Sequence, residues 1–314
     1  MKKNYINGIF ENRLFHTSYY LCKDAINNDM EESEKMPIVA LIYDFDGTLS
    51  PGNMQEYSFI GAVGMEKEEF WAETDVMAEN QDSDNVLVYM LLMLEKAKQT
   101  GKPIRKESFR EFGKSVELFN GVKDWFSRIN HYGLKHGIKI EHYINSSGTK
   151  EIIEGTSIAD EFKAIFACSF YYNEHGDAIW PAAAVNYTNK TQFLFKINKG
   201  IFSIRDSVLT NSSVPEDEKR VSFNNMVYFG DGETDVPCMK LIKQLGGTSI
   251  AVYDPHNTKK LERAENLMKQ DRVNYLCPAD YREGGKLDTL VKTLIRRIKA
   301  DEDLLKIKKE CICQ

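Results

Sequence analysis

The chain has 314 residues, 42% hydrophobic and 28% charged, an ordinary globular composition with room for one large domain or two modest ones. Its formal net charge of −6 argues against a general nucleic-acid or membrane-surface binder. The longest charge-free apolar run, 86–94, is too short to span a bilayer, and Lys2 and Lys3 lead into no apolar core of the kind a secretory signal needs. Cys22, Cys168, Cys238, Cys277, Cys311 and Cys313 are scattered along the chain and read as reduced thiols, which points to a cytoplasmic protein. Cys311 and Cys313 lack companion ligands and read as part of a tail.

Residues 1–36 form an N-terminal arm ending in a charged linker. Pro37 then opens an apolar run, 38–43, which reads as a strand buried on both faces, as central parallel strands are. Residues 51–137 look helical throughout. Glu66 opens one helical pattern. Asp84 caps a second, with Val86, Tyr89, Met90, Met93 and Leu94 on its apolar face, and 105–118 and 121–132 give two more. Strands are expected at 137–145, 165–169, 226–229, 249–253 and 273–277, with a hairpin at 170–180. Helices are expected at 149–155, from Asn189 to Gly200, after Asp235 as far as Leu245, and over 287–309. The polar stretch 205–224 reads as a surface insertion. This alternation predicts an α/β fold, a doubly wound parallel sheet carrying an inserted helical domain.

The chemistry gathers where strands end. Asp44 and Asp46 stand two residues apart after the first strand, so they leave the pleat on the same side, and Gly47 lets the backbone turn sharply. Open α/β sheets bind ligands at such carboxyl ends. Two carboxylates there are costly unless a cation or a shared proton compensates them. A second acidic strand end, Asp231 to Asp235, follows the strand at 226–229. Oxygen-only donors suit a hard cation, most simply Mg2+; no His or Cys cluster has zinc spacing. Ser146, Ser147 and Gly148 follow another strand, and a hydroxyl with backbone N–H groups makes a phosphate site.

Asp44-Phe45-Asp46-Gly47-Thr48 resembles the first motif of the haloacid dehalogenase (HAD) superfamily, Asp-x-Asp-x-Thr after a buried strand. The resemblance implies a Rossmann-like HAD core, 37–50 and 138–314, with 51–137 as a C1-type cap. It makes Asp44 the nucleophile, Asp46 the general acid and base, and the backbone carbonyl of Asp46 a magnesium ligand. Ser146 matches the second motif, its Ser-x-Gly phasing preferred over Ser147. Lys190 matches the third, preferred over Lys199 because an apolar helix face follows it. In the fourth motif Asp231 matches a direct metal ligand and Asp235 one acting from behind or through water. Phosphoserine phosphatases, the C1-capped branch it most resembles, read their substrate with a Glu nine positions after the nucleophile. That position here is Asn53, with Glu56 out of phase.

The expectation is a cytoplasmic, Mg2+-dependent phosphatase of a small phosphorylated metabolite, working through an aspartyl-phosphate and having no nucleic-acid or membrane partner. Its rivals are a phosphotransferase or phosphomutase on the same scaffold, and a HAD-fold binding protein without turnover. Specificity is expected from the inserted helices, with Glu56 and Tyr57, alongside Met54 and Phe59, facing the substrate.

Overall fold

The structure is a computed structural model that describes residues 36–102 and 104–312. The arm at 1–36, apart from Met36, and the tail thiol of Cys313 lie outside the described residues.

A buried apolar run is stable only between neighbours that satisfy both its edges and both its faces, and that is how the first strand is used. β1 (Ile38–Tyr43) pairs in parallel with β2 (Lys139–Thr149) on one side and β5 (Met226–Gly230) on the other. β2 continues to β3 (Phe162–Tyr172), which carries the antiparallel edge strand β4 (Ala178–Ala183). β5 continues in parallel to β6 (Thr248–Tyr253) and β7 (Tyr275–Pro278). The sheet has seven strands in the order β4-β3-β2-β1-β5-β6-β7. Its direction of growth reverses at β1, so a crevice opens at the carboxyl end of that strand.

The helices are α1 (Phe59–Ala62), α2 (Lys67–Asn80), α3 (Asn85–Gln99), α4 (Lys106–Gly113), α5 (Val122–Lys135), α6 (Lys150–Ile153), α7 (Lys190–Lys199), α8 (Ser207–Asn211), α9 (Val236–Gln244), α10 (Thr258–Lys269) and α11 (Lys286–Ile312). The Asp84 carboxylate caps α3 as expected, accepting from the Val86 and Leu87 amides. Several bounds differ from the sequence expectation. β3 absorbs most of the first arm of the predicted hairpin. β2 runs on to Thr149, although its pairing with β3 shifts register between Asn145 and Thr149, leaving 146–148 to bulge out of the ladder. The helix read at 105–118 stops at Gly113. α10 had no counterpart in the sequence reading, because its buried face is only a narrow stripe around Ala264 and Leu267.

One interior chain of hydrogen bonds ties α5 to the sheet. Trp125 Nε1–H donates to the Tyr43 hydroxyl at 2.9 Å, and that hydroxyl meets His142 Nδ1 at 3.1 Å. His142 Nε2 meets Asn130 Oδ1 at 3.0 Å. Tyr43 spends its hydrogen on His142, so His142 is neutral and protonated at Nε2. Tyr281 stacks edge-on against Trp125 at 5.2 Å and donates to the Thr48 carbonyl at 2.9 Å, bracing the turn after β1.

Candidate active site

The end of β1 is level with Ile144 on β2 and with Phe229 on β5. Residues just beyond these level positions therefore meet above the crevice. Asp44 follows Tyr43, and its amide donates to the Phe229 carbonyl at 2.9 Å. At Gly47 the chain turns with φ +76, and a Cβ built there would lie 2.1 Å from Asp231 Oδ2, so only glycine lets the two acidic strand ends close up. Carboxylate oxygens of Asp44, Asp231 and Asp235 lie within 4.8 Å of one another.

Lys190 stands between them at the first turn of α7. Its Nζ lies 2.7 Å from Asp235 Oδ1 and 3.1 Å from Asp44 Oδ1, and the side chain is fully buried. The Tyr228 hydroxyl donates a second bond to Asp235 Oδ1 at 2.7 Å. Asp235 is thus held mainly by protein donors, and it orients Lys190 toward Asp44. Lys199, the rival lysine, points elsewhere: its Nζ bonds the Thr210 and Ser212 carbonyls, pinning the 205–224 segment.

Asp46 accepts the Met54 amide at 2.9 Å. It lies over Gly148, where a Cβ would come within 3.0 Å of Asp46 Oδ2 and 2.1 Å of Met54 Cε. Ser146 Oγ accepts the Gly148 amide at 3.0 Å, which fixes the bulge. Ser147 Oγ is buried without a hydrogen-bond partner and borders the cavity. Ser147 lends its carbonyl to the Tyr89 hydroxyl at 2.7 Å.

Burial, with Asp235 and Asp231 nearby, pushes the Asp44 carboxyl up to about 7 despite Lys190. Burial first and Asp44 second hold Asp46 well above the carboxylate range, and burial also raises Asp231. Carboxylates crowded this way stay ionised together only with added positive charge. The donors fit a hard divalent cation: they are all oxygens, and Asp44 and Asp231 present lone pairs to the same space.

These groups floor a cavity of about 630 Å³, within the usual span for small-ligand sites. Asp44, Asp46, Ser146, Ser147, Gly148 and Asp231 all line it, as does Glu56. Tyr57 does not. Its hydroxyl meets Ser50 Oγ at 3.1 Å and accepts the Gly52 amide at 3.0 Å, so it tethers the turn after β1. Met54 is buried, its sulfur accepting the Thr149 amide at 3.1 Å. Phe59 packs among Phe70, Phe109 and Phe112. Sequence reasoning missed Lys260, which bonds Asp231 at 3.0 Å, and the cavity-lining Arg263. Both sit on α10; Asn257, which caps it by accepting the Lys260 amide, was the available signal. It also missed Gln55, Trp71 and Asp75, and assigned Tyr89 only to a helix's apolar face.

No family model matches the chain. A relative from Borreliella burgdorferi, described as an uncharacterized protein, is 28% identical over 282 residues, covering 81% of this chain and 95% of the relative. Among solved structures, a HAD family hydrolase from Salmonella enterica serovar Typhi superposes with a TM-score of 0.52 at 15% identity, over 82% of this chain and 72% of that one. A probable phosphoserine phosphatase from Vibrio cholerae superposes with a TM-score of 0.54 at 14% identity, over 85% and 68%. At such identities the likeness is one of architecture: this chain adopts the fold of those HAD proteins, a Rossmann-like parallel sheet flanked by helices.

Proposed function

We propose that the protein is a Mg2+-dependent phosphatase of a small phosphorylated metabolite, working through an aspartyl-phosphate on Asp44. The observation that carries this reading is the convergence of Asp44, Asp231, Asp235 and Lys190 at the carboxyl ends of adjacent strands, beside a cavity of substrate size.

In the first step an Asp44 carboxylate oxygen bonds to phosphorus as the ester P–O bond breaks, and Asp46 gives its proton to the departing oxygen. An acid with a raised pKa suits that task, and burial beside Asp44 supplies it. In the second step water bonds to phosphorus, the Asp44–phosphorus bond breaks, and the water proton passes to Asp46. Lys190 offsets the charge of Asp44 and of the phosphoryl group, while Ser146 and its bulge supply hydroxyl and amide contacts. Asp44, Asp231 and the Asp46 carbonyl are the groups that would hold magnesium, with Asp235 behind them. When bound, it neutralises phosphoryl oxygens that otherwise repel a carboxylate.

We assign 37–50 and the sheet with its helices to a catalytic core and the segment after Ser50 to a cap. The packing of α5 on β2 and the Trp125–Tyr43 bond support counting α5 with the core, within the 51–137 span first read as cap. The buried free thiols of Cys168, Cys238 and Cys277 favour a reducing, cytoplasmic setting. No helix among the described residues is long and apolar enough to cross a membrane.

The test is phosphate release from p-nitrophenyl phosphate by the full chain. Release with Mg2+ that stops with a chelator and in Asp44→Asn supports the reading. Release at an undiminished rate in Asp44→Asn removes Asp44 as nucleophile.

A further inference from the structure

The part of the cavity wall supplied by the segment after Ser50 is chemically unlike the acidic floor. It is contributed by Gln55, Glu56, Trp71, Asp75 and Tyr89, from the turn after Asn53 and from α2 and α3. Trp71 and Asp75 are four residues apart on α2 and so share a face. The Trp71 and Tyr89 rings meet edge to face at 5.9 Å, making an aromatic corner. Glu56 is fixed beside it. Its Oε1 accepts the Trp71 indole N–H at 2.9 Å and the Asn53 side-chain Nδ2–H at 2.6 Å. Both bonds fall on one oxygen, and the charge of Glu56 is felt at Asp46. Gln55 is 2% exposed, yet its Oε1 has no hydrogen-bond partner, an acceptor left open beside the cavity.

The cations that line the cavity, Lys260 and Arg263, come from α10, and Lys260 is engaged with Asp231 at 3.0 Å. The wall itself therefore offers two carboxylates, two aromatic rings and an open amide oxygen, with no cation of its own. An acid placed there is repelled by the two carboxylates, and a neutral polyol can give them hydroxyl bonds without offsetting their charge, whereas a positive group meets both the charge and the aromatic rings.

We propose that the alcohol part of the substrate carries a positive charge, so that the protein acts on an ammonium-bearing phosphate ester whose nitrogen sits against Trp71, Tyr89, Glu56 and Asp75. The ester is short, since one cavity must hold both the phosphate at Asp44 and the nitrogen at Glu56. This inference deepens the phosphatase reading and rests on it for the position of the phosphate.

The experiment compares kcat/KM with Mg2+ for aminoethyl phosphate, phosphocholine, the uncharged isostere of phosphocholine with carbon in place of nitrogen, and O-phosphoserine. The expected result is a preference of about tenfold or more for the better of the two cationic esters over the uncharged isostere. O-phosphoserine should fall below aminoethyl phosphate, because its added carboxylate meets Glu56 and Asp75. In Glu56→Gln/Asp75→Asn the ratio of cationic to uncharged ester should collapse toward one. Equal turnover of the uncharged isostere, or O-phosphoserine as the best ester, overturns the inference while leaving the phosphatase reading standing. Calorimetric binding of the same esters to Asp44→Asn with Mg2+ keeps the two ideas separable. If wild-type protein releases phosphate from no ester, tighter binding of the cationic esters upholds the cation-selecting wall and sinks the phosphatase reading. Binding without such a preference, or no binding at all, overturns the inference in that case too.

Discussion

Behind the cavity floor Lys190 and Asp235 are inaccessible to solvent, and their bonds join strand ends and a helix far apart in sequence. The wall supplied by the segment after Ser50 hangs on bonds among Asn53, Glu56 and Trp71, close in sequence and partly exposed. A buried ion pair of the first kind tolerates little change, because losing one partner strands a desolvated charge. A wall of the second kind is exchangeable without disturbing the sheet. Phosphate chemistry is shared by every substrate and belongs on the rigid floor; selection among substrates belongs on the replaceable wall.

The comparison is broken most severely by Asp44→Asn. Activity should fall by about 10⁴-fold or more, the scale seen when a nucleophile is removed. Thermal stability without metal should not fall, since one of several crowded carboxylates is neutralised. A parallel loss of melting temperature would mean Asp44 is structural. Next comes Lys190→Met, which leaves Asp235 and Asp44 buried without their cation. A loss of about 3–5 kcal/mol in urea unfolding is expected, against no more than about 1 kcal/mol for Glu56→Gln on the wall. Equal losses would erase the distinction between the two regions.

A smaller effect is expected at Gly47→Ala. The new methyl would collide with Asp231, whose oxygen lies 2.1 Å from the Cβ position. The Mg2+ concentration for half-maximal activity should rise about 10–100-fold, and an unchanged metal requirement would separate Asp231 from the cation.

Much of this was legible in the sequence for a local reason. Asp44 and Asp46 stand at the end of a charge-free run, and Asp231 and Asp235 follow another, so apolar strand and acidic end announce each other. Lys190 was distinguishable from Lys199 only by its neighbours, and the structure separates them by their bonds to Asp44 and to the Thr210 carbonyl. Less legible was anything set by which surface an amphipathic helix finds. The apolar side of α5 could have faced a cap core or the sheet, and it found the sheet. Lys260 was hidden because α10 is polar overall, with only a narrow apolar stripe around Ala264 and Leu267. Glu56 and Tyr57 are adjacent and equally plausible on paper, but the Tyr57 hydroxyl is consumed by the turn at Ser50 and Gly52.

The smallest expected effect is on acid stability, beneath the floor. His142 is fully buried, and burial lowers its pKa from 6.5 to about 3. Between those values the unfolded chain takes up a proton that the folded one refuses, so stability falls as pH drops below 6.5. At about pH 5.5 the loss should be on the order of 1 kcal/mol. Asp44, raised to about 7, acts in the opposite sense in metal-free protein, gaining stability as pH falls through that value. The difference between wild type and His142→Gln, each unfolded in urea over this range, isolates the histidine. Identical pH slopes would show that His142 is not held neutral.

The central claim is that phosphate passes through Asp44. Its most direct measurement is rapid acid quenching of the full chain during turnover of p-nitrophenyl phosphate with Mg2+, reduction of any acyl phosphate with borohydride, and mapping of the altered residue by mass spectrometry. The account predicts one modified position, Asp44, absent from Asp44→Asn and from protein given no substrate. Phosphate release with no altered residue, or with the change at Asp46 or Asp231, would contradict it.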